Sequence, residues 1–174
     1  NTAAAMTAAA LNAEPDQLLL FLPADHHVPD VDRFVSTMRQ GVDAANSGAI
    51  VTFGVKPSSP HTGYGYIQVE QGNHSALAVK RFVEKPSLET AIEYVAEGNY
   101  YWNAGIFLAR ADTILNAMAA HADDILSAVK TANERAVVDG DVRTLDKLAF
   151  TQARSESIDY AVLEHHDDIR MVLF

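Results

Sequence analysis

The sequence predicts an α/β fold with a mixed sheet, and two observations carry the prediction. A short apolar run, an amphipathic stretch and a second apolar run follow one another between residues 17 and 53, with only short joints. That order is the strand–helix–strand signature, which implies neighbouring parallel strands covered by helices. Two further strand-like runs, residues 66–70 and 76–83, are separated only by the short polar joint Gln71-Gly72-Asn73-His74-Ser75, which favours an antiparallel excursion.

The elements follow in order. Residues 2–13, rich in alanine, read as a helix; the stretch lacks the basic leading segment of a signal peptide. Residues 17–22, closed by Pro23, suit a strand buried on both faces. Asp30 caps a helix whose Val31, Phe34, Val35, Met38, Val42 and Ala45 recur at helical spacing until Asn46-Ser47-Gly48 stops it. Residues 49–53 are the next strand. Residues 56–65, with two prolines and two glycines, form a loop. Ser87 caps a helix over 88–97, ended by Gly98-Asn99, and residues 105–109 form a strand. Two helices fill 111–138, and Ser157 caps a last short helix carrying Ile158, Ala161 and Val162.

Composition bounds the function. The 174 residues suffice for one domain with a substantial core. Apolar residues make up 48% and mean hydropathy is near zero, as in a globular protein. A formal charge of −10, from 23 acids against 13 bases, argues against nucleic acid or an anionic membrane as partner. No run approaches the length of a spanning helix. With no cysteine, disulfides and thiolate zinc sites are excluded, and a reducing, cytoplasmic setting is expected. The chain opens directly in helical pattern and stops in the apolar run Ile169-Arg170-Met171-Val172-Leu173-Phe174, so it reads as a piece of a longer protein.

Two segments concentrate the candidate chemistry. Phe82-Val83-Glu84-Lys85-Pro86 sets an acid beside a base at the end of an apolar strand. Glu84 can accept hydrogen bonds from two sugar hydroxyls, and Lys85 carries a compact charge suited to phosphate. In Tyr101-Trp102-Asn103-Ala104-Gly105-Ile106-Phe107, Asn103 can donate and accept, while Gly105 lets a ligand lie against bare backbone. Gly63 and Gly65 bracket Tyr64, permitting close approach to a ligand hydroxyl. Asp25 falls beyond the carboxyl end of a strand, where α/β sheets gather ligands, and one carboxylate there suits Mg²⁺. His26-His27 and His165-His166 point to opposite sides of extended chain and do not readily grip one ion. Tyr101 and Trp102 read as packing residues before ligand-stacking ones.

These segments together resemble the sugar-1-phosphate nucleotidyltransferases, most closely the bacterial mannose-1-phosphate guanylyltransferases. The matching pieces, in family order, are Asn1-Thr2-Ala3-Ala4, Leu22-Pro23-Ala24-Asp25-His26, Thr52-Phe53-Gly54-Val55-Lys56-Pro57, Thr62-Gly63-Tyr64-Gly65-Tyr66-Ile67, the Glu-Lys-Pro and Trp-Asn-Ala-Gly segments, and Ser157-Ile158-Asp159-Tyr160-Ala161-Val162-Leu163-Glu164. The resemblance implies a Rossmann-like three-layer nucleotide-diphospho-sugar transferase fold, incomplete at both ends, with residues 1–174 as the central part of the domain. It implies transfer of a guanylyl group from GTP to α-D-mannose 1-phosphate, giving GDP-mannose and pyrophosphate, with Mg²⁺ as cofactor. By residue, it makes Asp25 the metal-binding aspartate and Gly65 a glycine whose amide meets the sugar. Glu84 becomes the reader of sugar hydroxyls, Lys85 the holder of the sugar phosphate, and Asn103 the amide on the sugar's far side. Asn1 and Thr2 lie near the nucleotide, and Asp159 sits in a family motif without an assigned ligand contact.

The departures are equally specific. The family's glycine-rich loop cradles the triphosphate through backbone amides, yet no glycine precedes Gly41 here. A second metal aspartate of the family is expected beyond Phe174, and the isomerase domain that often follows in the long bacterial forms is not contained in these residues. The chain therefore holds mainly the sugar-phosphate half of a site, and little turnover is expected of it alone. Partners are GTP and mannose 1-phosphate, with neither nucleic acid nor membrane, and exposed sheet edges allow a homo-oligomer. The rival readings are a non-catalytic sugar-nucleotide sensor or assembly subunit, and a nucleotidyltransferase for another sugar 1-phosphate.

Overall fold

A computed structural model describes residues 2–174, so the expectation for Asn1 lies outside the described residues. The chain divides into two compact units. One takes residues 18–110 and 167–174; the other takes the residues before 18 and those from 111 to 166.

The first unit holds the sheet. Its strands are β1 (Leu18–Phe21), β2 (Ile50–Val55), β3 (Tyr66–Val69), β4 (Leu77–Val83), β5 (Tyr100–Arg110) and β6 (Ile169–Leu173), in the order β1-β5-β2-β6-β4-β3. The sheet is mixed, as expected: β2 and β6 run parallel, and the other pairings are antiparallel. A further pairing of β3 with β5 joins the ends of the series β5-β2-β6-β4-β3, so these five strands close into a ring.

Two expectations need correction here. β1 and β2 run in the same direction but are not neighbours, because β5 lies between them and is antiparallel to both. β5 is the longest strand, with eleven residues, and its Ile106, Phe107, Leu108 and Ala109 are all buried. A run this apolar takes the interior position that the strand–helix–strand pattern had assigned to β1. Strand β1 pairs only with β5 among the described residues and leaves Leu20 39% exposed, so it is an edge strand and not one buried on both faces. The apolar run at residues 169–174, which carried no element assignment, forms β6 in the middle of the sheet.

Helices cover this sheet in two places. Asp30 caps α2 (Val31–Gln40) through a bond accepted from the Arg33 amide at 2.9 Å. The helical pattern then breaks at Gly41, where a Cβ would come within 2.9 Å of Val51 Cγ1, and resumes as α3 (Val42–Asn46). Met38 and Ala45 from these helices pack with Val51, Phe53, Ile106, Leu108 and Val172. Ser87 caps α4 (Leu88–Glu97), whose Ala91 and Tyr94 pack with Tyr66 and Tyr100 in a second cluster.

The second unit is mainly helical. Helix α1 (Thr2–Ala10) packs with α5 (Ala111–His121) and α6 (Asp123–Glu134) through small buried residues, among them Ala3, Ala4, Ala10, Ala117 and Ala132. Helix α1 ends three residues short of expectation, where the Asn12 side chain bonds the Ala8 carbonyl at 2.8 Å and Asn133 at 2.9 Å. Helix α6 ends at Glu134, before Val138. Val137–Asp139 (β7) pairs with Val142–Thr144 (β8) as a hairpin that the periodicity missed. Its β-branched residues favour a strand, and Gly140 at φ +58° supplies the turn. The short α7 (Lys147–Phe150), capped by Asp146, was not foreseen. The expected last helix is a π-helical turn over Asp159–Leu163, with Ile158, Ala161 and Val162 buried as foreseen.

Candidate functional site: a glycine between a carboxylate and an amide

Strand register builds the site. Tyr66 opens β3 opposite Val83 of β4 on one side and Trp102 of β5 on the other. One residue earlier, Gly65 therefore lies between Glu84 and Asn103. The Asn103 backbone amide donates to the Gly65 carbonyl at 2.8 Å. A Cβ on Gly65 would stand 2.5 Å from Glu84 Oε2, 3.2 Å from Phe82 Cζ and 3.5 Å from Asn103 Cβ. The carboxylate thus rests on the bare Cα of the glycine, which is a close approach only glycine permits.

A bulge in β5 shapes the other wall. Thr52 pairs with Phe107, but Gly54, two residues on, pairs with Asn103, four residues back. Bulges re-aim side chains next to functional sites, and this one falls at Asn103, Ala104 and Gly105. Asn103 Oδ1 accepts from Thr52 Oγ1 at 3.0 Å and from the Gly105 amide at 3.1 Å. The accepting end of the amide is therefore engaged inside the sheet. Gly105 has φ +69°, and a Cβ there would be 3.5 Å from Pro23 Cγ. Its left-handed backbone gives this glycine a conformational reason beyond room for a ligand.

Glu84 and Lys85 follow directly on β4. The Lys85 ammonium lies 3.5 Å from Glu84 Oε1, with the two side chains 58% and 12% exposed. Lys85 has φ +46° and is the one non-glycine residue with positive φ among the described residues. That conformation is costly for a side chain with a Cβ and tends to occur where function fixes the backbone.

Trp102, next to Asn103, packs edge-on against His61 at 6.0 Å and Tyr64 at 5.2 Å between ring centroids. This is the packing role expected of it. The Tyr66 hydroxyl donates to the His61 carbonyl at 2.9 Å, which ties the loop of residues 56–65 to the start of β3.

Asp25 is exposed in the turn after β1, and the neighbouring Pro23 reaches Gly105. Among the described residues, no three His, Asp or Glu side chains gather closely enough to cage an ion. A single exposed carboxylate suits a Mg²⁺ that arrives on substrate phosphates and keeps several waters; it does not suit a resident, protein-caged ion. Thr2 and Asp159 belong to the other unit. There Thr2 Oγ1 accepts the Ile158 amide at 2.8 Å, which fixes the start of the π-helical turn that Asp159 opens. The structure brings together Gly65, Glu84, Lys85, Asn103 and Gly105. The signal that sequence reading missed is Thr52, a buried hydroxyl in an apolar strand that orients Asn103.

The sequence pattern of the nucleotidyl transferase family matches residues 1–147, and the chain belongs to that family. Relatives narrow the setting. The chain is 46% identical over 175 residues to the xanthan biosynthesis protein XanB of Xanthomonas campestris pv. campestris (strain B100), covering 99% of this chain and 37% of that protein. It is 43% identical over 182 residues to the mannose-1-phosphate guanylyltransferase of Escherichia coli (strain K12), covering 99% of this chain and 38% of the relative. The chain therefore spans well under half the length of these relatives. Among solved structures, a Helicobacter pylori protein described as a mannose-6-phosphate isomerase superposes with a TM-score of 0.91 at 32% identity, over 100% of this chain and 68% of that one. A Thermus thermophilus protein described as a mannose-1-phosphate geranyltransferase gives 0.85, also at 32% identity, over 99% of this chain and 50% of that one.

Proposed function

We propose that this chain supplies the sugar-phosphate half of a mannose-1-phosphate guanylyltransferase, in which GTP and α-D-mannose 1-phosphate give GDP-mannose and pyrophosphate. The observation that carries the reading is the convergence of Glu84, Gly65 and Asn103, with Lys85 beside Glu84. A hydroxyl-accepting carboxylate, an amide donor and a cation suited to phosphate surround one patch of bare backbone. The guanylyltransferase relatives support the choice of reaction and of both substrates.

In this reading Glu84 accepts hydrogen bonds from two sugar hydroxyls and Asn103 donates one from the far side. Lys85 holds the sugar phosphate and points one of its oxygens at the α-phosphorus of GTP. That oxygen forms the new P–O bond as the bond to the β-phosphate bridge breaks in line and pyrophosphate leaves. A phosphate oxygen is already anionic, so no general base is needed; positioning and charge carry the step. Bound Mg²⁺ supplies charge neutralisation at the phosphates, and Asp25 is the residue that would hold it.

The test is calorimetric titration of mannose 1-phosphate and GDP-mannose into the protein. Saturable binding that Lys85→Ala and Asn103→Ala each abolish is the expected result. Absence of binding to either ligand would sink the reading.

A further inference from the structure

Glu84 and Lys85 are consecutive, yet their charged ends meet at 3.5 Å. On extended chain, adjacent side chains point to opposite faces and would not do so. The left-handed backbone at Lys85, φ +46°, turns the ammonium back over the preceding carboxylate. The carboxylate is largely sheltered from water: Glu84 is 12% exposed, and its other oxygen rests against Gly65. A strained residue that holds its charge against a neighbour of opposite sign calls for a reason beyond a surface ion pair.

We infer that Glu84 is the internal counter-ion of Lys85 and makes the site select a phosphate carried on a polyhydroxylated ring over free phosphate. The inference rests on the proposed sugar-phosphate reading and deepens it. A bare anion approaching Lys85 meets the Glu84 charge at nearly the same distance, so attraction and repulsion largely cancel. A sugar phosphate brings its own compensation, because its hydroxyls donate to Glu84 as the phosphate takes Lys85. Discrimination then arises from an unfavourable element as well as from an attractive one.

The experiment measures binding of inorganic phosphate and of mannose 1-phosphate, each alone, to the wild-type chain, Glu84→Gln and Glu84→Asp. Glu84→Gln removes the repelling charge, and is expected to bind inorganic phosphate about fivefold tighter while losing affinity for mannose 1-phosphate. Glu84→Asp keeps the charge, and is expected to lose sugar-phosphate affinity with no gain for phosphate. If Glu84→Gln does not fold by circular dichroism, Glu84→Ala carries the same test. Phosphate binding that is unchanged or weaker without the charge overturns the inference, even where mannose 1-phosphate still binds the wild type. A gain for phosphate in a protein that ignores mannose 1-phosphate would keep the counter-ion role and overturn selection for a sugar phosphate.

Discussion

The hydroxyl of Thr52 donates to Oδ1 of Asn103 at 3.0 Å, across the bulge that separates β2 from β5. Thr52 is wholly buried, so the bond is sheltered from water and sets which way the amide faces. Thr52→Val removes the donor and places a methyl group against a polar oxygen, which should cost about 1–2 kcal/mol of stability in denaturant unfolding. Mannose 1-phosphate affinity should fall as well, as Asn103 Oδ1 loses the Thr52 hydroxyl that helps to fix it. Thr52→Ser, which keeps the hydroxyl, should restore most of the binding. Equal binding by the Val and Ser variants would remove Thr52 from the site's support.

Gly65→Ala tests the other wall. The new methyl would meet Glu84 Oε2 at 2.5 Å, and that atom is the far end of a flexible side chain. The carboxylate can swing away, so stability should change by no more than about 1 kcal/mol. The binding geometry depends on the carboxylate's seat, and mannose 1-phosphate affinity should drop about tenfold. A variant that binds normally would show that the seat of Glu84 is irrelevant.

Asp25→Asn bears on the metal. The side chain is exposed in a turn, so the substitution should leave stability within about 0.5 kcal/mol. Replacing a carboxylate by a neutral amide should weaken the Mg²⁺-dependent part of GDP-mannose binding. Unaltered dependence on Mg²⁺ concentration would exclude Asp25 as the ligand.

Tyr100 gives a prediction in pH. Burial holds its phenol above the usual value of 10.0, with the nearby Tyr94 and Glu97 acting in the same direction. Its ring stacks on Tyr94 at 3.9 Å. A phenol harder to ionise in the folded state contributes stability that is fully present below pH 10 and is lost as pH rises through the folded value. Unfolding free energy should therefore fall above pH 10 in wild type, and less so in Tyr100→Phe. Parallel alkaline profiles for the two proteins would refute the coupling.

The chemistry of the candidate residues was more legible than the topology that places them. Residue chemistry singles out Glu84, Lys85 and Asn103, because a carboxylate, an ammonium and an amide beside apolar strands are informative wherever they fall. Their mutual placement comes from register: Gly65 reaches both Glu84 and Asn103 only because Tyr66 pairs with Val83 and Trp102 at once. No local pattern encodes that double pairing. Local signals did fix the caps at Asp30 and Ser87, since a cap and its amide lie within three residues. They could not place β5 between β1 and β2, because strand order depends on which run is apolar enough to be covered on both sides. The left-handed backbone of Lys85 was hidden for another reason: such conformations favour glycine, and nothing in a lysine announces one.

Strand β6 sits between β2 and β4, yet it is built from residues 169–173, after the whole helical stretch 111–166 has intervened. During synthesis β2 and β4 emerge early and wait for a neighbour that leaves the ribosome only after those helices. Until Ile169 arrives, the ring of strands stands open and both flanking strands offer unpaired backbone to any other chain. A nascent chain stalled before that point is thus the aggregation-prone species, and the sheet that carries Glu84, Gly65 and Asn103 is closed by a strand made long after its neighbours.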